Sequence, residues 1–269
     1  MRIDILTLFP DMCYAYLDES IIGRARKKGA IEIECENIRD YTADKHNRVD
    51  DAPYAGTTGM VMQAQPIADC FKALCTRLGK RPHFIYMSPQ GKTLTQKRAL
   101  ELSKMENIAI LCGHYEGVDE RVIEKEIDEE ISCGDYVLTG GELPALMLAD
   151  CIARMVEGVL PNEEAYRNES HFASLLEAPQ YTRPYEWEGK TVPDILLSGN
   201  HAAVADWKRQ QSLERTYLRR PDLLKGAQLT AQDKAYLEQI RQKFESKQTF
   251  YCENVYKICS KCKKRSRPM

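Results

Sequence analysis

Three loops hold the residues whose types and spacing could do chemistry: YMSPQG (86–91), CGHYEG (112–117) and TGGELP (139–144). Each follows a short apolar run, and each mixes glycine or proline with a few polar side chains. Glycine has no Cβ, so a ligand can approach the backbone closely there and be held by amides and carbonyls. In TGGELP the same residues also suit a tight turn into a helix over 143–156. Neither GxGxxG nor GxxxxGK[ST] occurs, which disfavours a dinucleotide fingerprint and a P-loop. HExxH and GxSxG are also absent, and His46, His114, His171 and His201 are scattered without metal-ligand spacing. Zincin-type and serine-hydrolase chemistry therefore lack support. Two charged residues stand out. Glu116 follows a glycine turn at a strand end, where a side chain can point into a site. Arg154 lies in the apolar stretch ADCIARMVEGVL; a guanidinium there needs an anionic partner or an exit to water. The acidic run from Asp119 to Glu130 reads as a solvated face.

These loops need a scaffold that brings strand ends together. Residues 2–8 alternate into Phe9-Pro10 as a strand and turn, and 12–28 read as a helix with Gly29 as its C-cap. IEIECEN is a half-buried strand. A long polar loop, RDYTADKHNRVDDAPYAGTTG, follows, and loops of that length are functional or loose. A helix is expected in the later part of 60–78. A strand is expected at 84–88, with a turn at Pro89-Gln90-Gly91, and a helix over 94–105. A buried strand at 107–113, a short helix within 116–126, a strand at 131–138 and the helix 143–156 complete the series. This alternation predicts an α/β domain with a mainly parallel sheet, which binds ligands beyond the carboxyl ends of its strands. After Leu160 the chain reads as a linker and then as a small helical domain. Ser198 or Asn200 is the expected cap of a helix near His201, and Thr230 with Asp233 resembles a capping box. Lys208, Arg209, Arg215, Arg219 and Arg220 give that domain a basic surface.

The 269 residues suffice for one or two domains, and 43% hydrophobic with 29% charged residues is an ordinary folded composition. Net charge is −2, so any phosphate-binding surface must be local. No uncharged span of membrane length occurs, and MRIDILTLFPD reads as a first strand rather than a secretory signal. A cytoplasmic location is expected. The ten cysteines lie mostly in apolar contexts and read as free thiols. Cys252, Cys259 and Cys262 offer fewer ligands than a structural zinc site wants. The basic tail Lys257–Arg267 reads as a solubilising extension.

Together, LFPDM, RDYTADKHNRVDDAPY, YMSPQGKTL, LCGHYEGVDERVIEKEIDEEISCGDYVLTGGELPALML, YTRP and VPDILLSGNHAAVADWKRQQSLERT resemble the bacterial tRNA (guanine-N1)-methyltransferases, of the SPOUT class, over residues 1 to about 245. The resemblance implies a deep trefoil knot within 84–160 and S-adenosylmethionine bound in the knot loops. Carried over, the cofactor-binding residues are Tyr86, Met87, Ser88, Pro89 and Gly91 in the first loop. In the second they are Gly113, His114, Tyr115 and Glu116. In the third they are Ser132, Cys133, Gly134, Tyr136, Val137, Leu138, Gly140 and Gly141, with Pro144. It further implies methyl transfer to N1 of guanosine at tRNA position 37, Mg2+ dependence without an assignable protein ligand, and a homodimer with active sites at the subunit interface. Domains at 1–160 and 176–269, joined by a mobile linker at 161–175, are expected. The C-terminal domain is expected to bind tRNA. Arg154 then faces guanine O6, and Glu116 helps hold the guanine edge.

The chain departs from the family pattern twice. The family's general base is an aspartate followed by Ser-Phe. Counting forward from Gly158-Val159-Leu160 places Glu169 there, with His171 inserted before Phe172; counting back from Tyr181 places Ser170 there. Glu169 is preferred because a carboxylate accepts a proton, and His171 is the second candidate. The other departure is AGTTG (55–59), where the family has a glycine run. A threonine at positive φ there would be costly. His46 and Asp50 match the family's polar loop.

Overall fold

The structure is a computed structural model that describes residues 1–56, 58–162, 164–167 and 169–245. Cys252, Cys259, Cys262, the tail Lys257–Arg267 and Thr57 lie outside the described residues. The chain divides into two compact units, Met1–Tyr166 and Arg167 onward.

The first unit begins with β1 (Arg2–Thr7), α1 (Pro10–Leu17), α2 (Ser20–Lys27) and β2 (Glu32–Asn37). The expected single helix over 12–28 is therefore two. The break sits at Asp18-Glu19, with Ser20 at φ 55°. Gly23 makes it feasible, since a Cβ there would lie 2.1 Å from the Asp18 carbonyl oxygen. A short antiparallel pair follows, β3 (Asp50–Asp51) with β4 (Val61–Met62). Then come α3 (Ala64–Leu78), β5 (His83–Thr93), α4 (Gln96–Leu102), β6 (Asn107–Cys112), α5 (Glu120–Glu126), β7 (Glu129–Ser132) and α6 (Glu142–Ala153).

Five strands form one parallel sheet in the order β2-β1-β6-β5-β7. The two-residue period of a strand sends alternate side chains to opposite faces. Ile108, Ile110 and Cys112 join one core cluster, with Leu17, Leu148 and Ile152. Ala109 and Leu111 join the other, with Ile67, Leu74 and Phe84. Phe71 stacks on Phe84 at a centroid distance of 3.9 Å. A sheet buried on both faces is what all-parallel pairing requires.

Two strand expectations change in ways that matter for the site. Pro89-Gln90-Gly91 is not a terminal turn, because β5 runs on to Thr93. Its register against β7 shifts so that Met87 and Lys92 both face Ile131, and residues 88–91 bulge from the ladder. A Cβ at Gly91 would meet Glu130 C at 2.4 Å, so glycine lets the two backbones pass. The strand expected at 131–138 ends at Ser132, where Ser132 Oγ accepts a bond from Gly134 N–H (3.1 Å) and Gly134 turns at φ 150°.

The second unit holds part of α7 (Glu164–Arg167), the hairpin β8 (Glu186–Trp187) and β9 (Lys190–Thr191), α8 (His201–Arg219) and a helix, α9, over 231–245. Asn200 caps α8, its Oδ1 accepting from Ala203 N–H. The capping box closes in both directions: Asp233 N–H donates to Thr230 Oγ1 (3.1 Å) and Thr230 N–H to Asp233 Oδ2 (2.9 Å). Arg209 adds an ion pair to Asp233 at 2.9 Å. Arg209 and these Thr230 bonds hold the Asp233 carboxyl down to about 2. A depressed carboxyl stabilises the fold above its unfolded value and loses that contribution as pH falls through its folded value. Asp233→Asn is therefore expected to cost on the order of 2 kcal/mol near neutral pH. It should also flatten the loss of helix signal between about pH 4 and pH 2 in acid titration by circular dichroism. An unchanged acid limb would contradict the assignment.

Candidate active site at the strand ends

The bulged middle of β5, the carboxyl ends of β6 and β7 and the start of α6 enclose a cleft of about 360 Å3, within the range of small-molecule sites. Its wall includes Tyr86, Met87, Ser88 and Pro89 from the first loop and Gly113, His114, Tyr115 and Glu116 from the second. The third contributes Ser132, Cys133, Tyr136, Val137, Leu138, Gly140 and Gly141, and α6 adds Pro144. Gly91 and Gly134, expected among the cofactor-binding residues, do not line it; Gly91 packs against the Glu130 backbone and Gly134 against the Tyr136 ring.

The loops are locked to each other by main-chain contacts. Gly141 N–H donates to Gly113 O at 2.7 Å, and Glu116 N–H to Met60 O at 2.9 Å. His114 and Gly140 form an isolated bridge. A Cβ on Gly141 would lie 2.8 Å from both Cys112 Cα and Gly113 N, and one on Gly113 would lie 2.8 Å from the Tyr86 hydroxyl. Such backbone cradles accommodate a nucleoside held by main-chain groups, and the residues present fit S-adenosylmethionine in this respect. Tyr86 is 7% exposed. Burial, with Glu130 and Glu120 nearby, pushes its phenol up to about 12, so it stays protonated. Above the cleft Val137 is 80% exposed and Tyr136 52%; this apolar surface suits cover by a bound ligand.

Gln90 and Thr139, within the first and third loops, also line the cleft, and so do Val118, Glu120, Ile123 and Glu130, which sequence alone did not single out. Glu130 had a signal. It pairs with Tyr86 in the ladder, and strict alternation through Glu129–Ser132 puts it on the Tyr86 face. The acidic run containing it is therefore not uniformly solvated.

Glu116 is exposed on the cleft wall against Gly59, where a Cβ would lie 2.4 Å from Glu116 Cγ. Among the described residues of the AGTTG loop, the left-handed positions fall on Gly56 (φ 70°) and Gly59 (φ 102°). Gly59→Ala combines backbone strain with displacement of the Glu116 carboxylate. It is expected to slow transfer about tenfold while leaving cofactor affinity within about twofold. Single-turnover rates and calorimetric titration separate the two effects, and equal weakening of both would contradict this geometry. Arg39 links the polar loop to the cleft rim, donating to Asn47 O (3.2 Å) and to the Tyr115 hydroxyl (3.4 Å). Asp50 lies in β3, and His46 is exposed in a turn, its N–H donating to Asp44.

Arg154 is the half-buried C-cap of α6. Glu169 belongs to the second unit and is half-buried. Ser170 Oγ accepts from Glu177 N–H at 3.0 Å, which gives that hydroxyl a structural task. His171, the extra residue, is exposed and takes φ 75°, so the insertion is absorbed as a left-handed turn. On the basic helix, Arg209 is committed to Asp233 and Arg220 to Asp222. Lys208, Arg215 and Arg219 have no carboxylate partner among the described residues. Their i, i+7, i+11 spacing puts them on one stripe of α8. No helix among the described residues is long and apolar enough to cross a membrane.

Residues 1–226 match the family model described as tRNA (guanine-1)-methyltransferase TrmD. A tRNA (guanine-N(1)-)-methyltransferase of Ruminiclostridium cellulolyticum is 57% identical over 223 residues, covering 83% of this chain and 96% of that protein. A protein of the same description from Lachnospira eligens is 52% identical over 223 residues, covering 83% of this chain and 94% of its own length. Another, from Alkaliphilus oremlandii, is 48% identical over 248 residues, covering 90% and 100%. With the strand-end cleft and its glycine cradles in place, these matches show that the chain belongs to the TrmD family of tRNA (guanine-1)-methyltransferases, S-adenosylmethionine-dependent enzymes that methylate guanine in tRNA.

Proposed function

We propose that this protein methylates N1 of the guanosine at tRNA position 37, next to the anticodon, in the cytoplasm. The observation that carries this is the cleft at the bulge of β5 and the ends of β6 and β7, where a Cβ on Gly141 would strike backbone and one on Gly113 or Gly140 would strike the side chains of Tyr86 or of His114 and Glu142, in a chain matched by the family model over residues 1–226. The bulge at 88–91 and the close backbone passages at Gly91 and Gly141 support a trefoil knot within 84–160.

When bound, S-adenosylmethionine supplies an electrophilic methyl group. The protein's own task is to make guanine nucleophilic. N1 carries a proton at neutral pH, so the Glu169 carboxylate removes it as general base. Arg154 stabilises the negative charge that moves toward O6, and Glu116 holds the guanine edge. A base in the anticodon loop leaves its stack at modest cost. Lys208, Arg215 and Arg219 meet phosphates, whose contacts position without reading sequence. Among the described residues no three His, Cys, Asp or Glu side chains come together as a metal site. The Mg2+ requirement implied by the resemblance is tested by transfer with and without a chelator.

A homodimer with shared active sites is supported by an exposed apolar set on α1 and α6: Met12 and Tyr16, with Leu143 and Met147. Dimerisation would cover it. Glu169→Gln and Gly141→Ala subunits, each inactive alone, should regain transfer when mixed, because one of the two sites would combine intact parts. No regain after subunit exchange would place both parts in one chain.

The test of the activity uses methyl-labelled S-adenosylmethionine and unmodified tRNA with guanosine at position 37, followed by digestion and identification of the nucleoside. N1-methylguanosine is expected, and a 2′-O-methyl product would overturn the assignment.

A further inference from the structure

Behind the cleft wall runs a polar chain that the proposed reaction leaves unused. Thr7, at the end of β1, accepts from Phe9 N–H (2.9 Å) and donates from Oγ1 to Glu142 Oε1 (2.9 Å). Glu142 opens α6 and is 3% exposed; a carboxylate at a helix N-terminus is favoured by the unpaired amides there. Its second oxygen, Oε2, lies 3.9 Å from His114 Nδ1. Among the described residues, that nitrogen is the one buried side-chain N or O atom with no hydrogen-bond partner.

Glycine keeps the two groups facing each other. A Cβ on Gly140 would lie 2.5 Å from Glu142 Oε2 and 2.6 Å from His114 Nδ1. The His114 ring is held from other sides by Phe9 and Tyr115, with centroids at 5.2 and 5.0 Å. Its side chain is a quarter exposed, on the cleft wall. Nδ1 is thus turned to the buried carboxylate, and the accessible edge of the ring is left to the ligand.

We propose that Glu142 is a positioning residue for the cofactor cleft, acting through His114. Closing the 3.9 Å gap by about 1 Å makes an Nδ1–H···Oε2 hydrogen bond. That bond fixes the tautomer, so Nε2 is unprotonated and accepts from a hydroxyl or amine of the bound cofactor. It also ties the second loop, through His114, to the start of α6 beside Gly140 and Gly141. Hydrogen bonds of functional sites are often long before ligand binds and tighten afterwards. The proposal rests on the cofactor cleft described above.

The test is 15N NMR of histidine-labelled protein with S-adenosylmethionine bound, together with cofactor titration of Glu142→Gln, His114→Phe and the double variant. The bound wild type is expected to show His114 with a protonated Nδ1 and a bare Nε2. Each single variant should weaken cofactor binding about tenfold, and the double variant no further. For Glu142→Gln, transfer at saturating cofactor should stay within about threefold, a split between binding and turnover that simple loss of folding would not produce. A protonated Nε2 in the bound wild type, or additive losses in the double variant, would overturn the proposal. Wild type that binds no cofactor would overturn the cleft assignment itself.

Discussion

Glu169→Gln is expected to lose about 10²- to 10⁴-fold in the rate of methyl transfer, with cofactor and tRNA affinity nearly unchanged. Gln keeps the size and polarity of Glu but cannot take a proton. If Glu169 is the base, the loss falls on the chemical step alone, and single-turnover kinetics with both substrates saturating will read it directly. The neighbouring candidates have distinct signatures. Ser170 already accepts a bond from Glu177 N–H, so Ser170→Ala should disturb the local turn more than the chemistry. His171 is exposed at φ 75°, and His171→Gly should be accepted by that backbone and leave most of the rate intact. Collapse of transfer in His171→Gly, with Glu169→Gln active, would move the proton transfer to the histidine.

Gly141→Ala is expected to abolish cofactor binding in practice, weakening it by about 100-fold or more. A single methyl group has this effect because its neighbours are backbone: Cys112 Cα and Gly113 N, each 2.8 Å from the new carbon. Neither can rotate away. Relief requires the loops to part, which breaks the 2.7 Å bond from Gly141 N–H to Gly113 O and opens the cleft. The contrast with Gly189 makes the test specific. Gly189 has φ 75° but nothing within 4 Å of its Cβ position, so Gly189→Ala should cost only modest backbone strain and leave cofactor binding alone. Equal effects from both substitutions would contradict the cradle. Calorimetric titration, with circular dichroism to confirm folding, decides it.

Much of the scaffold was legible because its signals are local. The apolar run from Ile108 to Cys112, the cap at Asn200 and the capping box at Thr230 and Asp233 each involve residues close in sequence. The strand-end loops were legible as a set for the same reason, since apolar runs end in glycine turns. Features that depend on pairing partners were not. The register shift at Met87 and Lys92 is a relation between β5 and β7, and nothing in YMSPQG alone distinguishes a bulge from a turn. The contact of Thr7 with Glu142 joins residues 135 positions apart. Glu130 was hidden in an acidic run whose average character is solvated, although its strand position put it in the cleft. The basic helix was legible as a surface, but the commitment of Arg209 to Asp233 was not, because it needs the approach of a second helix. The threonines of AGTTG raised a concern about positive φ; Gly56 and Gly59 take left-handed positions and Thr58 does not, while Thr57 lies outside the described residues.

The most direct measurement for the account is identification of the methylated nucleoside made from unmodified tRNA carrying guanosine at position 37, with the same tRNA carrying adenosine there as a control. N1-methylguanosine from the first and no product from the second is the predicted result. Cofactor binding without any methylated nucleoside, or methylation elsewhere in the tRNA, would contradict it.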